Sequence, residues 1–386
     1  MSSFRSQMGP LFFLVGIFFL NFLSRIILAP LMPTIEKDLK VGHDEAGSLF
    51  LMISLGFCIG LLVSGFISSR LNHRRTIILS SMAVGGILLV VSISHSLSGI
   101  RFGLVCLGMA AGLYLPSGIA TVTDLVRPEH WGKAIAIHEL APNFAFVTAP
   151  LFAEALLGVC SWRGVLALIG IVSIIVGTVF FFFGKGGTFL GEAPNVGIIR
   201  TILVNPTFWI IIALFTLGNG SSFGVYTMMP LYLVAEKGME RTWVNTLISF
   251  SRISTMGVPI LVGWVSDRVG IKKTLTGIFI ANGMATLLLG LAPQSWIVLI
   301  VFLQPVFATS FFTPGFAALS QMGSQKIKNV AVSLTIPVGF LLGGGGTAAG
   351  IGIMGEMGSF SLGIALFGGL LFGGAILAQY LKFSKD

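Results

Sequence analysis

Gly65-Phe66-Ile67-Ser68-Ser69-Arg70-Leu71-Asn72-His73-Arg74-Arg75-Thr76 and Gly263-Trp264-Val265-Ser266-Asp267-Arg268-Val269-Gly270-Ile271-Lys272-Lys273-Thr274 are one pattern written twice, 198 residues apart. Each copy has a glycine four or five residues before a polar pair, then a short turn, then a basic cluster. Two further landmarks repeat in register. Pro30-Leu31 followed by Glu36-Lys37 returns as Pro230-Leu231 followed by Glu236-Lys237, at an offset of 200. Lys133 and Pro142, nine apart, return as Lys328 and Pro337. The chain therefore reads as two related halves, and what lies around the landmarks says what the halves are made of.

Of 386 residues, 55% are hydrophobic and only 10% are charged. A soluble domain carries about 25% charged residues, so this composition cannot cover a water-facing surface and the bilayer has to be the solvent for most of the chain. The apolar segments are continuous runs, which excludes the alternating strands of a membrane barrel. They fall at 11–34, 46–68, 76–96, 101–124, 134–158 and 163–184, then at 207–233, 244–266, 274–292, 296–321, 330–354 and 360–381. The expected fold class is an all-α integral membrane protein, with twelve transmembrane helices in two pseudo-symmetric six-helix halves, 1–184 and 206–386. The polar-leaning stretch 185–205, with Gly186-Gly187, Pro194 and Pro206 around it, is the expected central loop. Twelve spans of about 20 residues leave no room for a second large soluble domain.

Loop charge orients the bundle. With both termini on the cytoplasmic side, fifteen Lys and Arg residues fall in inside loops, among them Arg5, Arg70, Arg74, Arg75, Arg268, Lys272, Lys273, Lys326 and Lys385, against six outside. That is the bias of an inner-membrane, multi-pass protein with cytoplasmic termini. It also accounts for the net charge of +9 without nucleic acid. Three cysteines in or beside apolar runs, with no Cys-x-x-Cys pair, give neither a disulfide framework nor a zinc site. No metal, no cofactor and no catalytic residue is expected, and a monomer is the plain expectation.

The Gly263–Lys273 stretch resembles the loop motif of the major facilitator superfamily, between helices 2–3 and 8–9, and the resemblance runs over essentially the whole chain. It implies two rocking six-helix halves with substrate bound near midplane between the repeats. It also implies that Gly65, Arg70, Arg74, Gly263, Asp267 and Arg268 form cytoplasmic gating loops. Simple positive-inside anchoring is the other reading of the same basic residues. Ser69 stands where the motif has aspartate, so the first copy lacks that charge. Asn21-x-x-x-Arg25 with Pro30 and Pro33 resembles the first helix of anion:cation symporters and organophosphate:phosphate antiporters, where the arginine binds the anion. In the phosphate antiporters a second arginine sits on helix 7; the matching residue here is Val225, so that pair is absent.

Arg25 and Arg252 are the two cations inside spans. Arg25 lies roughly 15 Å deep and Arg252 roughly 12 Å deep from the outside end. An arginine at mid-membrane costs about 2.5–3.5 kcal/mol, so each needs a cavity or a partner. Either they meet a carboxylate-type anion, which the guanidinium fork suits, or they pair with Glu139, Glu154 or backbone carbonyls. On helix 5, Glu139, Asn143, Pro150 and Glu154 form one polar stripe, and Glu139 and Glu154 are the candidates for proton coupling. His138 beside them reads as a packing residue. Helix 7 aligns Asn219, Ser222 and Tyr226 beside three glycines and Pro230, the pattern of a helix that bends or partly unwinds. Tyr114 and Gln304 are further polar donors for a substrate, or helix bridges. Gly346-x-x-x-Gly350 and Gly369-x-x-x-Gly373 have the spacing of packed helices.

Together these residues point to a secondary transporter for a small organic anion, coupled to a proton or a counter-anion. The alternative in the same fold is an exporter of drug-like or amphipathic compounds by proton antiport; the drug antiporters of the family it resembles carry a Gly-Pro-x-x-Gly-Gly motif on helix 5, of which Ala149-Pro150-x-x-Ala153-Glu154 is a poor match. A membrane enzyme or sensor has no nucleophile motif or phosphate loop to support it.

Overall fold

A computed structural model describes residues 7–192, 196–322 and 325–382, and every regular element among them is helical. Among the described residues, eleven helices are long and apolar enough to cross a membrane. They are α1 (Met8–Leu39), α2 (His43–Leu71), α3 (His73–Ile93), α4 (Leu97–Leu125), α5 (Pro128–Leu157), α6 (Trp162–Phe183), α7 (Pro206–Ala235), α9 (Ile271–Leu291), α10 (Gln294–Leu319), α11 (Val330–Glu356) and α12 (Phe360–Gln379). The twelfth, α8, is a pair of helices, Arg241–Ile253 and Val258–Val269, bent by 42°. The sequence reads as one continuous span there. The break follows from its residues: Ser254 and Thr255 turn their hydroxyls back onto the Ser251 and Arg252 carbonyls, and Pro259 brings no N–H.

Helix starts are marked by the side chains that cap them. Ser96, Ser161, Asn205 and Ser359 each accept a hydrogen bond from a backbone N–H two or three residues on. The two repeated loop motifs share a turn as well. Asn72 (φ 69°) and Gly270 (φ 91°) stand at equivalent places, each in the left-handed region just before a helix begins. Asparagine manages this because its side chain also accepts from the Arg75 N–H at 2.9 Å.

Contacts divide the chain into two compact units: Met1–Leu31 with Met52–Pro194, and Met32–Leu51 with Asn195–Asp386. The end of α1 and the start of α2 thus go with the second unit. Within it, Gly47 and Gly352 bring α2 and α11 into backbone contact, and the His43 N–H donates to Glu356 Oε2 at 2.7 Å. In the first unit, α2 and α4 cross closely; a Cβ on Gly56 would collide with the Val105 carbonyl and one on Gly108 with the Ile53 carbonyl. The start of the central loop lies across this unit: Arg74 N–H donates to the Gly187 carbonyl at 2.7 Å and Gly191 N–H to the Ser68 carbonyl at 3.0 Å. A short helix, Val196–Leu203, follows.

Helices α7 and α11 both widen into π turns, at Gly220–Gly224 and Gly339–Gly346, and pack there. The expected unwinding of α7 is in fact this widened turn. A Cβ on Gly343 would strike the Thr216 carbonyl, so the glycine run serves this crossing. The spaced pairs do not: nothing lies within 4 Å of a Cβ on Gly350, Gly369 or Gly373, and Gly346 meets only the Leu341 carbonyl at 3.7 Å. The terminal charges Arg5 and Lys385, and the Lys326 side chain, lie outside the described residues.

Candidate functional site

In the first unit the site is built around Arg25. Pro30 and Pro33 supply no N–H to the Ile26 and Ala29 carbonyls, and α1 is interrupted at Ile27, two residues after the arginine. Asn21, one turn before it, donates to the Ala111 carbonyl at 3.2 Å and to Ser80 Oγ at 3.4 Å. These bonds pin α1 against α3 and α4 and set the rotation of the helix. Arg25 is 7% exposed, with its guanidinium 4.0 Å over the Phe57 ring and 4.9 Å over the Phe22 ring. Its Nε has no hydrogen-bond partner, and no carboxylate reaches ion-pair distance, among the described residues. The alternative of a salt bridge to Glu139 is therefore not what the structure has. A cation–π contact is worth about 0.5–2 kcal/mol, enough to soften the burial cost of the cation. It satisfies no N–H, so the fork of donors is left for an acceptor that the protein does not provide.

Behind Arg25 lies a stacked group. Phe18 stacks on Tyr114 (5.2 Å, 16°) and on His138 (4.5 Å, 8°). The fully buried Tyr114 hydroxyl donates to the Leu14 carbonyl at 2.8 Å and lies 3.0 Å from His138 Nε2. Glu139 Oε1 is 3.4 Å from His138 Nδ1. Helix α5 breaks at Glu139, because Pro142 brings no N–H to the His138 carbonyl. Asn143 donates to the Glu139 carbonyl at 3.1 Å across that break. Glu154 is half-buried fifteen residues farther along.

The second unit holds Arg252 differently. It is 3% exposed, its Nη2 donates to the Ser222 carbonyl at 3.3 Å, and its guanidinium lies 4.5 Å over the Tyr226 ring. The π turn of α7 presents that carbonyl to a side chain. Asn219 donates to the Phe215 carbonyl at 2.8 Å, and its Oδ1 is buried without a partner among the described residues. Gln304 is fully buried and donates to the Ser221 carbonyl and hydroxyl, both at 3.1 Å. Ser221 in turn donates to Asn282 Oδ1 at 2.8 Å, which joins α7, α9 and α10. Asn21, Tyr114 and Gln304 thus have helix-bridging bonds, whereas Arg25 keeps its donors.

At the repeated loop motifs, Arg74 Nη2 donates to the Phe181 carbonyl at 3.1 Å, and Arg70 is exposed. A Cβ on Gly263 would meet only Thr313, at 3.7 Å, so no close helix approach depends on this glycine, and Arg268 lies 4.0 Å over the Trp264 ring. Asp267, Lys272, Lys273, Ser320 and Gln321 line a cavity of about 610 Å³. Asp267 makes no ion pair among the described residues. Sequence reasoning missed Phe57 and Phe22 as the faces on Arg25, Ser221 and Asn282 as partners of Gln304, and the tie between His138 and Tyr114. The lone amide of Asn282 in an apolar run was the one readable signal among them.

Residues 14–346 match the family model described as Major Facilitator Superfamily. The chain is 25% identical over 350 residues to the 3-(3-hydroxy-phenyl)propionate transporter of Escherichia coli (strain K12), covering 86% of this chain and 85% of that protein. It is 22% identical over 322 residues to an MFS-type efflux pump of Mycolicibacterium smegmatis, covering 78% and 74%. The solved structure of a bacterial homologue of the human lysosomal transporter Spinster, inward-facing and unoccupied, overlays with a TM-score of 0.82 at 13% identity and covers all of both chains. Two halves repeated in the sequence, twelve helical spans and a family match over most of the length lead to one assignment: the chain belongs to the major facilitator superfamily.

Proposed function

We propose that this transporter moves a small organic anion of the carboxylate type across the cytoplasmic membrane by alternating access, in symport with a proton or in exchange for a counter-anion. One observation supports this reading above the rest. Arg25 is a buried cation between two aromatic faces with its Nε donor unused. A planar carboxylate against the guanidinium edge would satisfy those donors in two parallel bonds and remove the cost of the charge. Phe22 and Phe57 would then flank the organic part of the ligand. The relative named as a 3-(3-hydroxy-phenyl)propionate transporter handles a molecule of that chemistry, a carboxylate with an aromatic ring.

Arg252 and Asn219 are the proposed contacts from the second unit, with Tyr226 beneath the arginine. Glu139 and Glu154 are the proposed proton-coupling groups, and the repeated loop motifs the proposed gates. The excess of basic residues in alternate loops supports cytoplasmic termini and an inner-membrane setting. A monomer suffices for this cycle. The efflux pump among the relatives favours a second reading, proton-driven export of amphipathic compounds.

Thermal stabilisation of the purified chain by a panel of carboxylates, sulfonates, inorganic anions and lipophilic cations separates the two. A ligand at 100 times its dissociation constant adds about 2.7 kcal/mol. Stabilisation by a carboxylate in the wild type and not in Arg25→Gln is the expected result. Stabilisation by lipophilic cations, or by anions regardless of Arg25, would favour export and leave Arg25 a structural residue.

A further inference from the structure

We propose that His138 and Glu139 form a proton-binding site at the break of α5, with the imidazole and not the carboxylate alone as the group that takes the proton. This rests on and deepens the reading of Glu139 as a proton-coupling group, and does not depend on what the substrate is. The argument is one of hydrogen-bond accounting. The Leu14 carbonyl can only accept, so the Tyr114 hydroxyl proton is committed to it at 2.8 Å. What the Tyr114 oxygen has left for His138 Nε2, at 3.0 Å, is a lone pair. Nε2 therefore carries a hydrogen in either charge state of the ring. A neutral imidazole has one N–H, so its Nδ1 is then a bare lone pair, and it faces Glu139 Oε1 at 3.4 Å. Two acceptors in opposition repel, and one proton between them turns repulsion into an ion pair. In the present arrangement His138 Nδ1 makes no hydrogen bond among the described residues.

The surroundings suit that proton. The Phe18 ring lies face to face with the imidazole at 4.5 Å, which presents the negative face of its π system to a positive ring. His138 is 1% exposed, while the Glu139 side chain is 47% exposed. A carboxylate on a spanning helix faces water in preference to hydrocarbon, so Glu139 is the route by which the proton enters and leaves. With the proton bound the pair is neutral overall; without it the pair carries one negative charge on Glu139.

Among the described residues, no hydrogen bond or ion pair ties any charge other than Glu139 to the ring. On α1, Arg25 is stacked on Phe22 and Phe57. On α4, Asp124 accepts from the Gly187 N–H. At the start of α5, Glu129 pairs with Arg127 and His130, and Lys133 is exposed on a different face, five residues before His138. Glu154 lies roughly 24 Å farther along α5. Because Tyr114 and Leu14 belong to α4 and α1, protonation of this ring is felt by three helices at once.

The test is solid-state NMR of the full chain in lipid, labelled with ¹⁵N-histidine, followed as the sample is acidified. The chain has five histidines. His138 is assigned by the signals lost in His138→Gln or, if that variant does not fold, as the ring whose titration changes in Glu139→Gln. The expected spectrum keeps a proton on Nε2 throughout and gains one on Nδ1 as the pH falls, and Glu139→Gln alters that gain and leaves the Nε2 proton in place. A ring with its neutral proton on Nδ1 overturns the proposal. So does one whose nitrogens never change, or one that titrates identically in Glu139→Gln.

Discussion

Arg25 and Arg252 are both buried arginines on membrane spans, and the protein treats them in opposite ways. Arg252 is given a carbonyl at 3.3 Å and a tyrosine ring, both from α7. Arg25 is given two phenylalanine rings and, among the described residues, no hydrogen-bond acceptor for any nitrogen of its guanidinium. Hydrogen bonds to a charged group contribute about 1.5–3 kcal/mol, so Arg252 is tied to α7 as well as being a proposed contact. Rings alone compensate the charge without engaging the fork. The difference teaches that burial by itself does not mark a binding residue; what marks one is burial with donors left over.

Exchanging each arginine for glutamine is the sharpest way to break this comparison. Arg25→Gln should lower affinity for the stabilising anion by about 1.5–3 kcal/mol, roughly ten- to a hundredfold. The melting temperature without ligand should stay level or rise, because a buried charge whose N–H donors have no acceptor has been removed. Arg252→Gln should lower the ligand-free melt, through loss of its bond to α7, as well as the affinity. Equal effects of the two on the ligand-free melt would abolish the distinction.

The second unit's bridging network offers the next contrast. Gln304→Leu leaves Ser221 without its donor and the Ser221 carbonyl without a partner at the π turn. A buried group left unsatisfied costs about 1–3 kcal/mol, read as a fall in denaturation midpoint. Anion affinity should move little, since all the Gln304 bonds found here run to α7 and α9. A large affinity loss at unchanged stability would place Gln304 in the site.

A smaller effect belongs to Phe57→Leu, which keeps apolar bulk but removes the ring 4.0 Å from Arg25. The loss of one cation–π contact is worth about 0.5–2 kcal/mol. It should appear in anion affinity, because a less confined guanidinium presents its edge less well. Phe57→Tyr should retain the wild-type value; failure of that rescue would mean that the packing shape matters and not the π face.

The spans, the repeat and the loop motif were legible because they are local: twenty apolar residues in a row declare themselves without knowledge of any partner. Arg25 was legible for the same reason, as a charge inside such a run. Its aromatic faces were not, since Phe57 is 32 residues away and helix rotation decides which phenylalanines meet a cation. Tyr114, Leu14 and His138 come from three different spans, so a lone histidine could only be read as packing. The glycine pairs misled because spacing shows that two glycines share a helix face without showing what that face meets. The bend of α8 was hidden by hydropathy, which does not register that Ser254 and Thr255 turn back onto the backbone.

The helix that carries Arg252 also supplies the smallest effect. Glu240 begins α8, and its carboxylate accepts from the Thr242 and Trp243 N–H groups at 2.9 and 2.8 Å. These backbone hydrogen bonds hold its pKa below the usual glutamate range, with the neighbouring Arg241 adding to the same direction. A carboxyl with a depressed folded pKa contributes stability that is fully present above its unfolded pKa and disappears as the pH falls through the folded one. Acidification through and below the ordinary glutamate range should therefore loosen the first turn of α8, seen as faster amide exchange at Thr242 and Trp243. Glu240→Gln, which keeps an acceptor but cannot titrate, should remove that pH dependence. The site is fully solvated, so the global melt should barely respond. If the anchoring of α8 supports Arg252 alone, acid loosening of this turn leaves anion binding through Arg25 unchanged. A parallel loss of anion affinity in the wild type, absent in Glu240→Gln, would mean that the two arginines are not as separate in purpose as their surroundings make them.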